Sequence, residues 1–328
     1  MVLLHCVRLE FYCAKPRRKG RDLYMNLPTF SNIRVTSLSF FNKPIEQVWE
    51  AIHTAGRMKS DLIILPETWA GLEAVDNLKS PRVLELCVLA KQYEAYIVSG
   101  MYRQTDSGFR VNSALLINRT GEIMGFYDKV YPYWEEFDLT PTVHPGNKPM
   151  VFNTDFGTLG IAVCFDANAP FIWHEMAEAG ARIVVWPSAY SGGTSLQAHA
   201  INYHYYIVTS THRGDCTVYD ITGKEILYNA SIEDENILIT SIVLDLDRCI
   251  FHRDFTGDKK KTLLAEHAGE IIQEQSMPKE GWFVLKSVKD GVSVRLTAQQ
   301  YGLEELPAYK LRSIKEIDNI RQGDGRNV

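Results

Sequence analysis

Short runs of β-branched and aliphatic residues recur along most of the chain. They are RVTSLSFF (34–41), DLIILPE (61–67), AYIVSGMY (95–102), NSALLIN (112–118), LGIAVC (159–164), RIVVWPS (182–188), YYIVTST (205–211), 216–220 and 237–247. Several are apolar at consecutive positions instead of alternating, which predicts strands in sheets covered on both faces. Helical spacing falls between them. Residues 43–58 set Ile45, Val48, Trp49, Ile52 and Ala55 on one stripe, with Asn42 as N-cap and Pro44 in the first turn. Helices are also expected at 81–93, at 170–179 closed by Gly180, and at 195–204, while ITGKE (221–225) reads as a hairpin turn.

Strands and helices alternate without a Pro/Gly/Ser linker, so 33–275 is expected to be one α/β domain. Residues 1–32 form an N-terminal extension and 276–328 a C-terminal one, possible cover for a neighbouring subunit. In the latter, WFVLKSVKDGVSVRLTAQQYGL reads as a hairpin and RSIKEIDNIRQGDGRNV as a fading polar end.

The 328 residues, 45% hydrophobic and 23% charged, suit a soluble globular protein. A net charge of -5 gives no reason to expect nucleic acid, and the cluster Lys15, Arg17, Arg18, Lys19, Arg21 reads as a solvated arm. Cys6, Cys13, Cys87, Cys164, Cys216 and Cys249 are scattered, without CxxC pairs or zinc spacing, so free thiols in the cytoplasm are expected. No apolar run approaches the roughly eighteen residues of a membrane span. The apolar opening lacks a preceding basic stretch, which argues against a signal peptide. The Asn-x-Ser/Thr matches at Asn118 and Asn229 and the RGD in THRGDC read as chance.

Three residues stand at or just past strand ends, where open α/β sheets place ligands. Glu67 follows LIILP, where partial desolvation is expected to raise its pKa and make it a base near neutrality. Lys129 is wedged among Phe126, Tyr127, Val130 and Tyr131. Cys164 ends a strand whose alternation puts the thiol on the face of Gly160 and Ala162. A sharp turn there would leave the Phe165 N–H facing an oxyanion. Taken alone, each has an ordinary explanation: a surface or capping acid, a solvated lysine, a buried thiol. Together they have a chemical logic: an ammonium lowers a neighbouring thiol's pKa, and a carboxylate takes and returns its proton.

In order, LPETW, YDKVYP and GIAVCFDANAP, followed by GARIVVWPS, resemble the Glu, Lys, Cys signature of the nitrilase superfamily of carbon-nitrogen hydrolases. The resemblance covers most of 34–247. It implies a four-layer α-β-β-α sandwich, with Glu67 as general base, Lys129 stabilising the tetrahedral intermediate and Cys164 as nucleophile. A second glutamate follows a Lys-x-x-Pro-x-x-x-Glu pattern in nitrilase-like members, and Lys129, Pro132 and Glu136 fit it, Glu135 being the fallback. The implied reaction passes through a thioester, releases ammonia or an amine, and requires no cofactor or metal. The resemblance also implies homodimers or larger assemblies and a small-molecule amide or nitrile as partner, not nucleic acid or membrane.

Phe165-Asp166 replaces the Trp-Glu usual after the cysteine of true nitrilases, which favours amide over nitrile. FDANAPF lacks the arginine with which carbamoyl hydrolases and ω-amidase-like members bind a carboxylate; the first basic residues beyond it are His174, read as a helix-surface or packing residue, and Arg182. Tyr133, Trp134, Phe165, Trp186 and Tyr190 are candidates for a substrate pocket, although such residues are also core material. SGGTSLQ (191–197) is either a loop at the pocket mouth or a plain connection. Nitrile or N-carbamoyl hydrolysis stay as alternatives, as do a Cys-His hydrolase using His174, His204 or His212 and a scaffold without turnover.

Overall fold

The structure is a computed structural model and describes residues 32–231 and 236–323. The basic N-terminal cluster, Cys6 and Cys13 lie outside the described residues.

An eight-stranded sheet contains β1 (Asn32–Ser39), β2 (Leu62–Ile64), β3 (Val75–Asp76), β4 (Tyr96–Gln104), β5 (Arg110–Ile117), β6 (Ile123–Asp128), β7 (Val143–His144) and β14 (Leu238–Asp245). Its order is β14-β1-β2-β4-β5-β6, with β3 beside β4 and β7 beside β5. A six-stranded sheet runs β13-β12-β11-β10-β9-β8, built from β8 (Val151–Thr154), β9 (Gly157–Ile161), β10 (Ile183–Ser188), β11 (Tyr206–Thr211), β12 (Asp215–Tyr219) and β13 (Glu225–Ala230).

The doubly apolar strands follow from the layering. Leu62, Ile64, Val98, Leu116, Ile161 and Val185 fill the core between the two sheets. Their neighbours Ile63, Ile97 and Leu115 pack outward against α1 (Ile45–Arg57) and α2 (Pro81–Tyr93). Across the sandwich, Val184, Trp186 and Ile207 meet α3 (Pro170–Glu178) and α4 (Thr194–Tyr203). The result is the four-layer α-β-β-α sandwich, each fully buried aliphatic side chain contributing roughly 1.5–3 kcal/mol.

Hydroxyl groups cross between the sheets. Ser37 donates to Thr209 O (2.7 Å), Ser39 to Asp215 O (2.7 Å) and Ser210 to Leu38 O (2.7 Å). These bonds satisfy buried polar groups and fix how far β1 sits along β11.

The C-terminal part has a core of its own. β15 (Cys249–His252), β17 (Trp282–Ser287) and β16 (Ile271–Met277) form a three-stranded sheet. It packs with α5 (Gly257–Glu266) and α6 (Val294–Gln300) around Phe251, Leu263, Phe283 and Ala298. Residue 275, where the sequence reading divides the chain, lies inside β16.

Three local expectations are corrected. Asn42 does not cap α1: it has φ +49°, its N–H bonds Trp69 O, and Pro44 holds the cap position. The return strand expected after β17 is α6, started by Ser293, whose hydroxyl accepts from Leu296 N–H. The polar end is α7 (Leu306–Gly323), which leaves Ile314, Ile317 and Ile320 exposed.

Candidate active site

Glu67 lies three residues past β2, on a loop pressed against β4. A Cβ at Gly100 would stand 2.2 Å from Pro66 O and 2.6 Å from Glu67 Cα, so only glycine admits this approach. His212 Nε2 holds the Glu67 carbonyl from the opposite sheet. Lys129 directly follows β6 and is fixed from both sides, its N–H donating to Asn112 O (2.8 Å) and its carbonyl accepting from Gly146 N–H (2.8 Å). Glu136 is buried in a short 3-10 turn, Trp134–Asp138. Glu135, the alternative, is exposed.

β9 stops at Ile161, short of Cys164, which opens a 3-10 turn at φ +48°. That left-handed backbone is costly for a non-glycine residue and typical of strained functional turns. The strand alternation therefore does not reach Cys164. Gly160 faces Met176 of α3, whereas Cys164 joins the core between the sheets. Trp186 Nε1 donates to Cys164 O (3.1 Å).

The four groups meet at one point. Lys129 Nζ donates to Glu67 Oε1 (2.7 Å) and to Glu136 Oε2 (2.6 Å). Glu67 Oε2 carries no hydrogen-bond partner, and Cys164 lies close enough to the Glu67 carboxylate for its charge to raise the thiol pKa. All four are buried, Lys129 at 1% exposure.

Charge follows from this packing. Burial pushes the Glu67 pKa up, but the Lys129 ammonium overrides it and holds the carboxyl below its usual range. Burial opposes the Lys129 charge too, and Glu67, Cys164 and Glu136 together raise its pKa well above normal. Burial, then the Glu67 charge, pushes Cys164 up to about 12. The site therefore rests as carboxylate, ammonium and thiol, the reverse of the raised glutamate and depressed thiol expected from sequence. The physical reason is that Lys129 bonds the carboxylates directly, leaving the thiol beside a negative charge.

Two partners escaped the sequence reading. Asn112 Nδ2 donates to both Glu67 Oε1 and Glu136 Oε1, each at 2.7 Å, and the Tyr102 hydroxyl donates to Glu136 Oε1 (3.3 Å). The available signal was an Asn at the head of the strand run NSALLIN.

The aromatic candidates divide. Tyr133 is 37% and Trp134 60% exposed, and the half-buried Phe165 stands 5.7 Å from Tyr133 by ring centroids. Tyr190 is half-buried, whereas Trp186 is fully buried beneath Cys164. The three histidines considered as base are engaged elsewhere. His174 approaches Glu178, His204 bonds Ile221 O and Lys310, and His212 bonds the Glu67 backbone.

The model of the carbon-nitrogen hydrolase family matches residues 39–249. The chain is 26% identical over 211 residues to a deaminated glutathione amidase of Synechocystis sp., covering 56% of this chain and 76% of that one. Among solved structures it resembles Saccharomyces cerevisiae Nit3, of branch 10 of the nitrilase superfamily (TM-score 0.56, 18% identity, 66% and 90% covered). It also resembles an amidase from Nesterenkonia sp. (TM-score 0.55, 20% identity, 67% and 92% covered).

Proposed function

Since this chain belongs to the carbon-nitrogen hydrolase family, we propose that it cleaves a non-peptide amide through a thioester on Cys164. It is a hydrolase of carbon-nitrogen bonds other than peptide bonds. The observation that carries the residue roles is the Lys129 ammonium held between Glu67 and Glu136, with Glu67 Oε2 left unpartnered and Cys164 buried beside them.

The thiol attacks the amide carbon as its proton passes to Glu67, so no free thiolate has to form in a site that disfavours it. Lys129, with the Phe165 N–H, stabilises the oxyanion. Glu67 returns the proton to the leaving nitrogen, the C–N bond breaks, and ammonia or an amine departs. Glu67 then takes a proton from water, whose oxygen attacks the thioester carbon. Collapse releases the acid and returns the thiol. Glu136 holds Lys129 in place.

The related Nesterenkonia sp. AN1 amidase has a variant with the acetamide moiety of fluoroacetamide added covalently at its active site cysteine, which supports the same role for Cys164. Tyr133, Trp134, Phe165 and Tyr190 suit an uncharged apolar or aromatic amide. The segments 130–142, 165–171 and 188–197 contribute no lysine or arginine, which disfavours a carboxylate-bearing substrate. Cys87, Cys164, Cys216 and Cys249 are free thiols, consistent with a cytoplasmic protein. No described helix is long and apolar enough to cross a membrane. The exposed isoleucines of α7 support a homodimer or larger assembly through residues 276–328.

The test is ammonia or amine release from primary amides, N-acyl amines, carbamoyl compounds and nitriles. Amide turnover should fall at least about a thousandfold in Cys164→Ala and in Glu67→Gln. Turnover that survives either substitution overturns the assignment.

A further inference from the structure

Asp166, two residues past Cys164, has no accessible surface and is met by neutral donors. Its Oδ2 accepts from the Tyr127 hydroxyl (2.8 Å) and Val163 N–H (3.0 Å), its Oδ1 from Tyr131 N–H (2.8 Å). Tyr127 lies in β6 and Tyr131 beyond it, so the two bracket Lys129 just past the edge of the first sheet. Val163 precedes Cys164, two residues past β9 of the second sheet. The Asp166 carbonyl is also occupied, accepting from Trp173 Nε1 of α3 (3.0 Å).

A carboxylate buried this completely carries a large desolvation penalty, and fold stability alone gives no reason to retain it. What it provides is a three-point link between the segment of the ammonium and the turn of the nucleophile. We propose that Asp166 is a positioning residue that clamps the backbone around Lys129 to the Cys164 turn and thereby sets the ammonium against the sulfur. The inference rests on the roles proposed for Glu67, Lys129 and Cys164.

The clamp works only while Asp166 is ionised. A proton on either oxygen puts an O–H among donors, and a bond is lost. Burial pushes the Asp166 pKa up to about 6, with the Val163, Tyr131 and Tyr127 bonds and the Lys129 charge pulling the other way. Of the titratable groups facing it, the Tyr127 phenol stays protonated and Lys129 stays charged far above this range. The Cys164 thiol, at about 12, does not ionise there either. Glu67 titrates below the usual carboxylate range, so acidification reaches Asp166 first.

The experiment follows carbamidomethylation of Cys164 by iodoacetamide against pH, read by peptide mass spectrometry, which needs no knowledge of the natural substrate. The wild-type rate should fall as pH drops through about 6. Tyr127→Phe removes a bond to the ionised form and should move that fall upward by roughly one pH unit. Asp166→Asn should react about tenfold or more slowly at neutral pH and lose the fall near 6. A wild-type pH profile in folded Tyr127→Phe overturns the clamp, and that variant decides alone if Asp166→Asn does not fold. Glu67→Gln separates the two levels: if its rate equals the wild type's, the reading of the site fails and the clamp falls with it.

Discussion

Asn112 gives one amide nitrogen to two carboxylates, the same two that Lys129 Nζ bonds. By occupying Glu67 Oε1 it leaves Oε2 as the oxygen without a competing partner. Hydrogen bonds to charged groups contribute about 1.5–3 kcal/mol. Asn112→Ala should therefore lower kcat roughly ten- to a hundredfold with a smaller effect on KM, and steady-state kinetics on any turned-over amide checks it. An unchanged kcat would make Asn112 a packing residue only. Glu67, Lys129, Cys164 and Glu136 were legible because ordered motifs mark strand ends. Asn112 and the protonation states were not, because both depend on which groups meet across strands far apart in the chain.

At the scale of elements, α4 ends at His204, which takes a left-handed conformation at φ +59° and is tied through Ile221 O and Lys310. Burial, with the charge of Lys310 adding to it, pushes its pKa down to about 3. The unfolded chain binds this proton near pH 6.5 and the folded chain does not, so the contribution is complete above 6.5 and is lost as pH falls below it. Between pH 6.5 and 5 that amounts to about 2 kcal/mol. His204→Asn, which suits the left-handed position, should flatten the dependence of unfolding free energy on pH over this interval, as urea titrations at several pH values would show. An equal slope in both proteins sinks the idea. Most strands and helices of the sandwich agree with their sequence runs to within a few residues, because the central strands are buried on both faces and the helices on one. α6 and α7 were missed for the opposite reason. α7 buries Leu306 but leaves Ile314, Ile317 and Ile320 outside, and its outer turns rest on ion pairs such as Arg312–Glu304 and Arg321–Asp318. Its isoleucines recur every third residue, but they are set among charged and polar residues and face outward instead of marking a core stripe.

In the whole molecule, the C-terminal unit is joined to the sandwich through buried charge. Asp247, just past β14, accepts from Val294 N–H (2.5 Å) and the Ser293 hydroxyl (2.9 Å) at the start of α6. Arg295 pairs with Glu305 (2.6 Å) and Asp247 (3.3 Å), and Arg182, at the start of β10, reaches Glu305 (3.4 Å). Arg295→Met strands two carboxylates and should cost about 3–5 kcal/mol. Its unfolding should begin in the C-terminal unit, seen as early loss of hydrogen-exchange protection in β16 and β17. Uniform loss over the whole chain would instead mean that sandwich and C-terminal unit unfold as one. The serine bonds between β1 and β11 carry a different lesson. Glu67 and Lys129 ride on one sheet and Cys164 on the other, and greasy faces alone would let the sheets creep past each other. A slip of a single rung is about 3.3 Å, longer than the bonds that tie Lys129 and Asn112 to the two carboxylates. Ser37, Ser39 and Ser210 thus serve as dowel pins: a chain stripped of them could keep its shape and its strength and still be out of true.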